Sequence, residues 1–300
     1  MPGIRVANAP CSWGVLEFEL DSEPVSYSQV LDEMATAGFA GTELGDWGFM
    51  PSDPEALRGE LEERGLALLA AFVPVPLARP ETLKAGIQTA LETARLLAAV
   101  NSDCKIVLAD ENGSENERTR CAGRVEAHQG LDDAGLDTFA RGAEAVARAV
   151  REETGLATVF HHHCAGWVET PEETLALMER TDPALLGLCL DTGHWTYGGG
   201  NPLSALERFG DRIWHVHFKD CHAGVAQRAR EQGLDYFQAV REGVFCELGQ
   251  GEVDFQAMTE ALRGRGYSGW IVVEQDVIGG MGSPLESACR NRAYLRTLDL

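Results

Sequence analysis

The run Leu186-Gly187-Leu188-Cys189-Leu190 is apolar throughout and of strand length, and it ends on a carboxylate, Asp191, followed by Thr192-Gly193-His194. A strand without polar alternation is buried on both faces, as in a parallel sheet covered by helices. Three other apolar runs end in the same way: Val159-Phe160-His161, Trp214-His215-Val216-His217 and Val272-Val273-Glu274. Ligand-type side chains at the same end of four successive strands form the pattern of a metal site at the mouth of a parallel barrel.

Working outward, runs of strand length alternate with longer segments of helical period along the chain. The predicted strands are Arg5–Ala9, Gly41–Leu44, Ala67–Val73, Lys105–Ala109, Ala157–His161, Leu186–Leu190, Ile213–Phe218 and Trp270–Glu274, eight in all. Helix starts are legible between them. Thr170-Pro171-Glu172-Glu173 is a capping box with Pro at the first helical position, and Asp53-Pro54 and Asn201-Pro202 open helices alike. Ala35-Thr36-Ala37-Gly38 and Arg263-Gly264-Arg265-Gly266 read as helix ends closed by glycine. Eight strand–helix units without a composition break predict a (β/α)8 TIM barrel, one α/β domain over residues 1–300. A doubly wound open sheet is the alternative, but no G-x-G-x-x-G follows the first strand.

Two connections are long: Asp110–Leu136 after the fourth strand, and Asp220–Val253 after the seventh, with a helical-looking Val225–Val240. Both leave strand ends on the face where barrel enzymes build their sites, so each is expected to form a lid or a subunit contact, the latter in a homo-oligomer.

A net charge of −22 opposes binding to nucleic-acid backbones, which requires clustered Lys and Arg, and fits a protein that handles small molecules. No stretch approaches the roughly 18 apolar residues of a membrane span, and Met1-Pro2-Gly3-Ile4-Arg5-Val6 does not read as a signal peptide. The eight cysteines form no C-x-x-C pair and several lie in apolar runs, so reduced thiols and a cytoplasmic location are expected.

His161, Asp191, His217 and Glu274 are the candidate metal ligands. Two imidazoles and two carboxylates suit Mn, Co, Zn or Fe better than Ca, which prefers an all-oxygen shell. Alternation within His161-His162-His163 puts His161 and His163 on one face, with His163 reaching towards substrate and His162 facing the helices. A register slip of one residue would make His162 the ligand instead. His215 shares a face with His217 and is expected to pack lower in the barrel. Lys219, two residues past His217, and His194, at D-x-x-H spacing from Asp191, are candidate proton donors. Glu43, ending the second strand, is a candidate base or hydroxyl ligand. Trp13, after the first strand, is placed to stack on a sugar face, and Gln275 and Asp276 either line the pocket or cap the last strand.

At these residues the chain resembles the xylose isomerase-like TIM-barrel superfamily over nearly its whole length. The most specific pieces are Cys189-Leu190-Asp191-Thr192-Gly193-His194, His215-Val216-His217-Phe218-Lys219-Asp220 and Gly269-Trp270-Ile271-Val272-Val273-Glu274-Gln275-Asp276. His161-His162-His163, Gly243-Val244-Phe245 and Gly249-Gln250-Gly251-Glu252 carry a closer likeness to the inosose dehydratase group of inositol catabolism and its sugar isomerase/epimerase neighbours. The resemblance implies one divalent ion, Mn or Co favoured, with ligands at Asp191, His217 and Glu274. A strand-five Glu is usual at the position of His161, and histidine also occurs there in the inosose dehydratase-like branch. DNA-repair endonucleases share the superfamily but need further His and Asp ligands, and Asp220-Cys221-His222 lies too close to His217 to supply them.

The resemblance implies an enzyme that removes a proton next to a carbonyl to give an enediolate. Three readings follow: a metal-dependent lyase on a keto-cyclitol, an isomerase or epimerase on a free ketose, and a non-catalytic sugar-binding barrel. The partner is a small polyol or keto-sugar, with neither nucleic acid nor membrane.

Overall fold

The structure, a computed structural model, describes residues 3–15, 25–277 and 281–300. One parallel sheet contains β1 (Arg5–Asn8), β2 (Gly41–Thr42), β3 (Ala67–Leu68), β4 (Ala70–Pro74), β5 (Lys105–Ala109), β6 (Ala157–His161), β7 (Leu186–Asp191), β8 (Ile213–Phe218) and β11 (Trp270–Val273). Its order is β3-β2-β1-β11-β8-β7-β6-β5-β4. The two ends of that order are one strand, interrupted only at Leu69. The Leu69 N–H donates to Thr42 O (3.0 Å) and its carbonyl accepts from Lys105 N (2.9 Å), so the ladder continues through the gap. The result is a TIM barrel in which the predicted third strand, Ala67–Val73, is split in two. Gly41–Leu44 is shorter than predicted, and the sixth predicted run, Leu186–Leu190, extends to Asp191.

The predicted helix signals hold. Thr170 and Glu173 form a reciprocal capping box on the helix Pro171–Arg180, and Asp53 and Asn201 cap Pro54–Arg64 and Pro202–Phe209. Gly38 ends Tyr27–Ala37 in the left-handed conformation (φ 91°), which costs a residue without a Cβ nothing. Helices such as Leu83–Val100 and Asp133–Thr154 bury Leu97, Phe139 and Val146 against the outer face of the barrel. The interior is filled by smaller side chains, among them Ala7, Val107, Val159, Cys189 and Val272. Among the described residues no helix is long and apolar enough to cross a membrane.

A β-bulge interrupts the β7–β8 register between Leu188 and Cys189: Leu188 pairs with Ile213, and Cys189 with His215. The extra residue, Trp214, packs over Gly187, where an added Cβ would lie 2.3 Å from the indole. Beyond the bulge the register puts Asp191 and Val272 beside His217, and Glu274 follows two residues after Val272.

The long connection after β8 is a small domain-like layer over the barrel mouth. β9 (Asp220–Cys221) pairs antiparallel with β10 (Phe245–Cys246). Between them lie two helices, Ala223–Gln232 and Tyr236–Arg241, where one was predicted. Gly233 (φ 69°) stops the first and Asp235 caps the second in a capping box with Gln238. Asp220 holds the hairpin base by accepting from the backbone N–H groups of Cys221, Gly249, Gly251 and Val253 at 2.8–3.1 Å. Val225, Ala229, Tyr236 and Phe245 of this layer pack with Cys164, Ala165 and Tyr197 from the loops after β6 and β7.

Candidate metal centre and active site

His161, Asp191, His217 and Glu274 end β6, β7 and β8 and follow β11, and one ligand atom from each lies within 4.8 Å of all the others. Asp191 Oδ2 is 3.6 Å from His161 Nε2 and 3.7 Å from His217 Nδ1, which is itself 3.1 Å from Glu274 Oε1. The other Asp191 oxygen, Oδ1, accepts from Gly193 N and His194 N (2.8 Å each) and caps the helix Thr192–Tyr197, which aims Oδ2 into the cluster.

The donor set fits a divalent cation. Asp191 Oδ2 and His217 Nδ1, which face each other at 3.7 Å, are buried with no hydrogen bond, although buried polar atoms are rarely left so. Three buried carboxylates, Asp191, Glu274 and Asp276, lie within 3.7 Å of one buried ammonium, Lys219, and a fourth, Glu43, lies against His215 and His217. Such an excess of buried negative charge is costly without a compensating cation.

The electrostatics follow from this crowding. Burial alone would raise Asp191 and Glu274, but Lys219 and His217 beside them hold Asp191 well below the usual carboxylate range and Glu274 at about 2. Burial would likewise depress His217 and Lys219. Glu274 with Glu43 raises the first well above its ordinary value, and Asp276, Glu274 and Asp191 raise the second. Lys219 is therefore a fixed ammonium. Its Nζ lies 2.9 Å from Asp276 Oδ1, 3.0 Å from Glu274 Oε2 and 3.1 Å from His194 Nε2, with the Phe245 ring centre 5.0 Å away.

His194 and His163 are pushed well below their ordinary values by burial and stay neutral. Their ring centres are 3.9 Å apart. His163 donates its Nδ1 proton to Cys164 O (2.7 Å), which leaves Nε2 as the basic nitrogen. His162 faces the helices, as alternation predicts: its Nε2 accepts from Asp191 N (3.3 Å) and its ring packs edge-on against Trp195.

Glu43 reaches the barrel axis, where Oε1 accepts from His215 Nε2 (2.7 Å) and His217 Nε2 (2.9 Å). His215 sits lower in the barrel, as its spacing from His217 predicts. The cleft above the cluster is lined by Glu43, His161, His163, Lys219, Glu274 and Asp276, and by Pro10, Cys11, Asp46 and Phe72.

Two of the predicted substrate contacts are not brought to this cleft. Trp13 lies in the 3-10 turn Pro10–Trp13, buried in the core, and donates Nε1–H to Glu33 (2.7 Å). Gln275 points to the helix Pro284–Thr297, where its Oε1 accepts from Ser287 Oγ (2.8 Å) and Asn291 Nδ2 (3.3 Å). Asp276, which the sequence left between pocket and cap, faces inward and also accepts from Tyr236 OH (3.3 Å). Tyr236, Phe245, Phe72, Cys11 and Asp46 were not anticipated. Phe72 had a signal in its alternation with Ala70 along β4, and Phe245 in the Gly243-Val244-Phe245 likeness.

Residues 31–297 match the model of the xylose isomerase-like TIM barrel family. The chain belongs to that family. It is 33% identical to an inosose dehydratase of Geobacillus kaustophilus (strain HTA426) over 295 residues, covering 98% of this chain and 94% of that protein. An inosose dehydratase of Lacticaseibacillus casei is 31% identical over 294 residues, covering 97% and 96%. Among solved structures, 3-keto-D-glucoside 4-epimerase from E. coli superposes with a TM-score of 0.69 at 19% identity, over 98% of this chain and 99% of the other, a likeness of fold. The chain is an enzyme, a lyase or an isomerase/epimerase.

Proposed function

We propose that this barrel is a divalent-metal-dependent dehydratase acting on a keto-cyclitol such as 2-keto-myo-inositol. The observation that carries the reading is the buried His161–Asp191–His217–Glu274 group with its unpaired atoms, in a chain whose relatives are named inosose dehydratases. These residues would hold the ion, Mn or Co favoured, which supplies Lewis-acid stabilisation of charge developing on the carbonyl oxygen.

The chain's own groups cover the proton transfers. Dehydration takes a proton from the carbon next to the carbonyl and breaks the C–O bond one carbon further on, releasing enone and water. His163, neutral and facing the cleft, is in the form a base requires. Lys219, held protonated and directed by Asp276, is in the form an acid requires for the departing hydroxyl. His194 accepts from Cys164 N at Nδ1 (3.3 Å) and sets its Nε2 edge 3.1 Å from Lys219 Nζ. Glu43 lines the cleft, which suits a substrate hydroxyl. Phe72, Pro10 and Val15 give the cleft its apolar walls, which limit water at the reacting carbons.

Purified protein incubated with 2-keto-myo-inositol and Mn²⁺ or Co²⁺ is expected to yield a UV-absorbing enone-type product. Absence of product with turnover of free ketoses would replace this reading by an isomerase or epimerase. Failure to bind either metal would remove both.

A further inference from the structure

From the geometry around β8 we infer that Glu43 and His215 are positioning residues for His217. Together they fix its ring so that Nδ1, and not Nε2, points at the ligand group. This rests on the metal-centre reading above. An ionised carboxylate only accepts hydrogen bonds, so both contacts to Glu43 Oε1 are donated by ring N–H groups: Nε2 of His215 at 2.7 Å and Nε2 of His217 at 2.9 Å. A proton held on His217 Nε2 leaves Nδ1 as the nitrogen with a lone pair to offer. Nδ1 is the atom that faces Asp191 and Glu274 and that has no hydrogen bond. A carboxylate behind a ligating imidazole sets the tautomer and makes the ring a better donor.

Three features make this a built arrangement. Glu43 and the two histidines are all at most 3% exposed, so no water competes for the carboxylate. His215 Nε2 and His217 Nε2 converge on the one oxygen Oε1, so the carboxylate is held from two positions on one strand face. The partners also come from opposite parts of the sheet: β2 and β8 are separated by β1 and β11, so the contact spans the barrel interior. His215 forms the floor of the arrangement. It sits two residues before His217 on the same strand face, and it lines a cavity of about 410 Å³ at the N-terminal end of the barrel with Lys105, Trp214 and Trp270. The second donor, from His215, lets Oε1 remain an anion at depth. It also stops Glu43 from swinging towards the cleft as a free base.

The test uses the whole enzyme and two readouts. Long-range ¹⁵N–¹H correlation spectra of the metal-free, histidine-labelled protein are expected to give His217 protonated at Nε2, as imidazolium or neutral, and to keep the Nε2 proton after Mn²⁺-free Zn²⁺ loading. Mn²⁺ titration is expected to give a dissociation constant raised roughly 10–100-fold in Glu43→Ala, less in the near-isosteric Glu43→Gln, and least in His215→Phe. A neutral His217 protonated at Nδ1, or Glu43→Gln and Glu43→Ala both binding Mn²⁺ within twofold of wild type, overturns the inference. The tautomer is read on the wild-type chain, so misfolding of a variant does not remove the test. A wild-type protein that binds no metal would sink the metal-centre reading, while the tautomer of His217 would still decide this one.

Discussion

Two buried clusters of charge lie on the same face of the barrel, and they are built in opposite ways. In one, Arg118 is fully buried and forks onto Glu173 with Nη1–Oε1 at 2.9 Å and Nη2–Oε2 at 2.8 Å, while its Nε donates to Gly166 O. Glu173 also accepts from Glu169 N and Thr170 N, which closes a capping box. In the other, around Asp191, two facing atoms, Asp191 Oδ2 and His217 Nδ1, are buried with no hydrogen bond, and carboxylates outnumber the ammonium. Full satisfaction marks a clamp that braces the loop after β6. Incomplete satisfaction marks a site that needs something added. Burial alone does not separate the two; the hydrogen-bond inventory does.

That contrast can be broken at either end. The largest effect is expected at the unsatisfied cluster: Asp191→Asn should lower turnover by roughly 10³-fold, the several kcal/mol a Lewis acid supplies, and remove Mn²⁺ binding in a titration. Its unfolding free energy should change less than that of a clamp variant. Full metal content and turnover in Asp191→Asn would show the cluster is misread. Arg118→Met should do the reverse. Urea unfolding should register a loss of up to about 3 kcal/mol, because Glu173 is left partly buried without its partner, with Mn²⁺ affinity little altered.

The pH dependence of stability tests the clamp more finely. Burial raises Glu169, which accepts from Gly123 N (2.7 Å) and Ala165 N (2.9 Å), to about 7 from an ordinary 4.5. The folded state therefore binds this proton more tightly than the unfolded chain. Its contribution is complete below pH 4.5 and is lost as pH rises through about 7. Stability should fall by up to roughly 3 kcal/mol across that window, at 1.36 kcal/mol per unit, and Glu169→Gln should flatten the slope in urea midpoints. A slope unchanged by the substitution would assign the titration elsewhere.

Metal should act only on the open cluster. Mn²⁺ at 100 times its dissociation constant should stabilise the wild type by about 2.7 kcal/mol, reversed by EDTA and absent in Asp191→Asn. The smallest effect is expected at Gln275, whose side chain bonds Ser287 and Asn291 away from the cleft. Gln275→Leu should cost about 1–2 kcal/mol of stability and leave KM within about twofold. A large rise in KM would return Gln275 to the substrate.

Much of this was readable along the chain because it depends on local periods. Strand alternation separates His161 and His163 from His162 and puts His215 and His217 on one face. Apolar runs with capped helices between them specify the parallel barrel, and the strand ends then specify the level of Asp191, His217 and Glu274. What failed locally failed for local reasons as well. Gly233 and the Asp235 cap divide a segment whose apolar pattern suggests one helix. Trp13 sits on a 3-10 turn that carries its indole into the core.

The sequence by itself determined the barrel and which side chains end its strands as candidate ligands, since both follow from which residues recur at a spacing of two along strands of one direction. Only the tertiary structure decided what surrounds them. Glu43 meets His215 and His217 because the barrel closes, bringing strands from opposite parts of the sheet across a shared interior. Tyr236 and Phe245 meet Asp276, His194 and Lys219 because a hairpin inserted after β8 folds back over the mouth. Such contacts join residues far apart in the chain, and no period along one strand or helix records them.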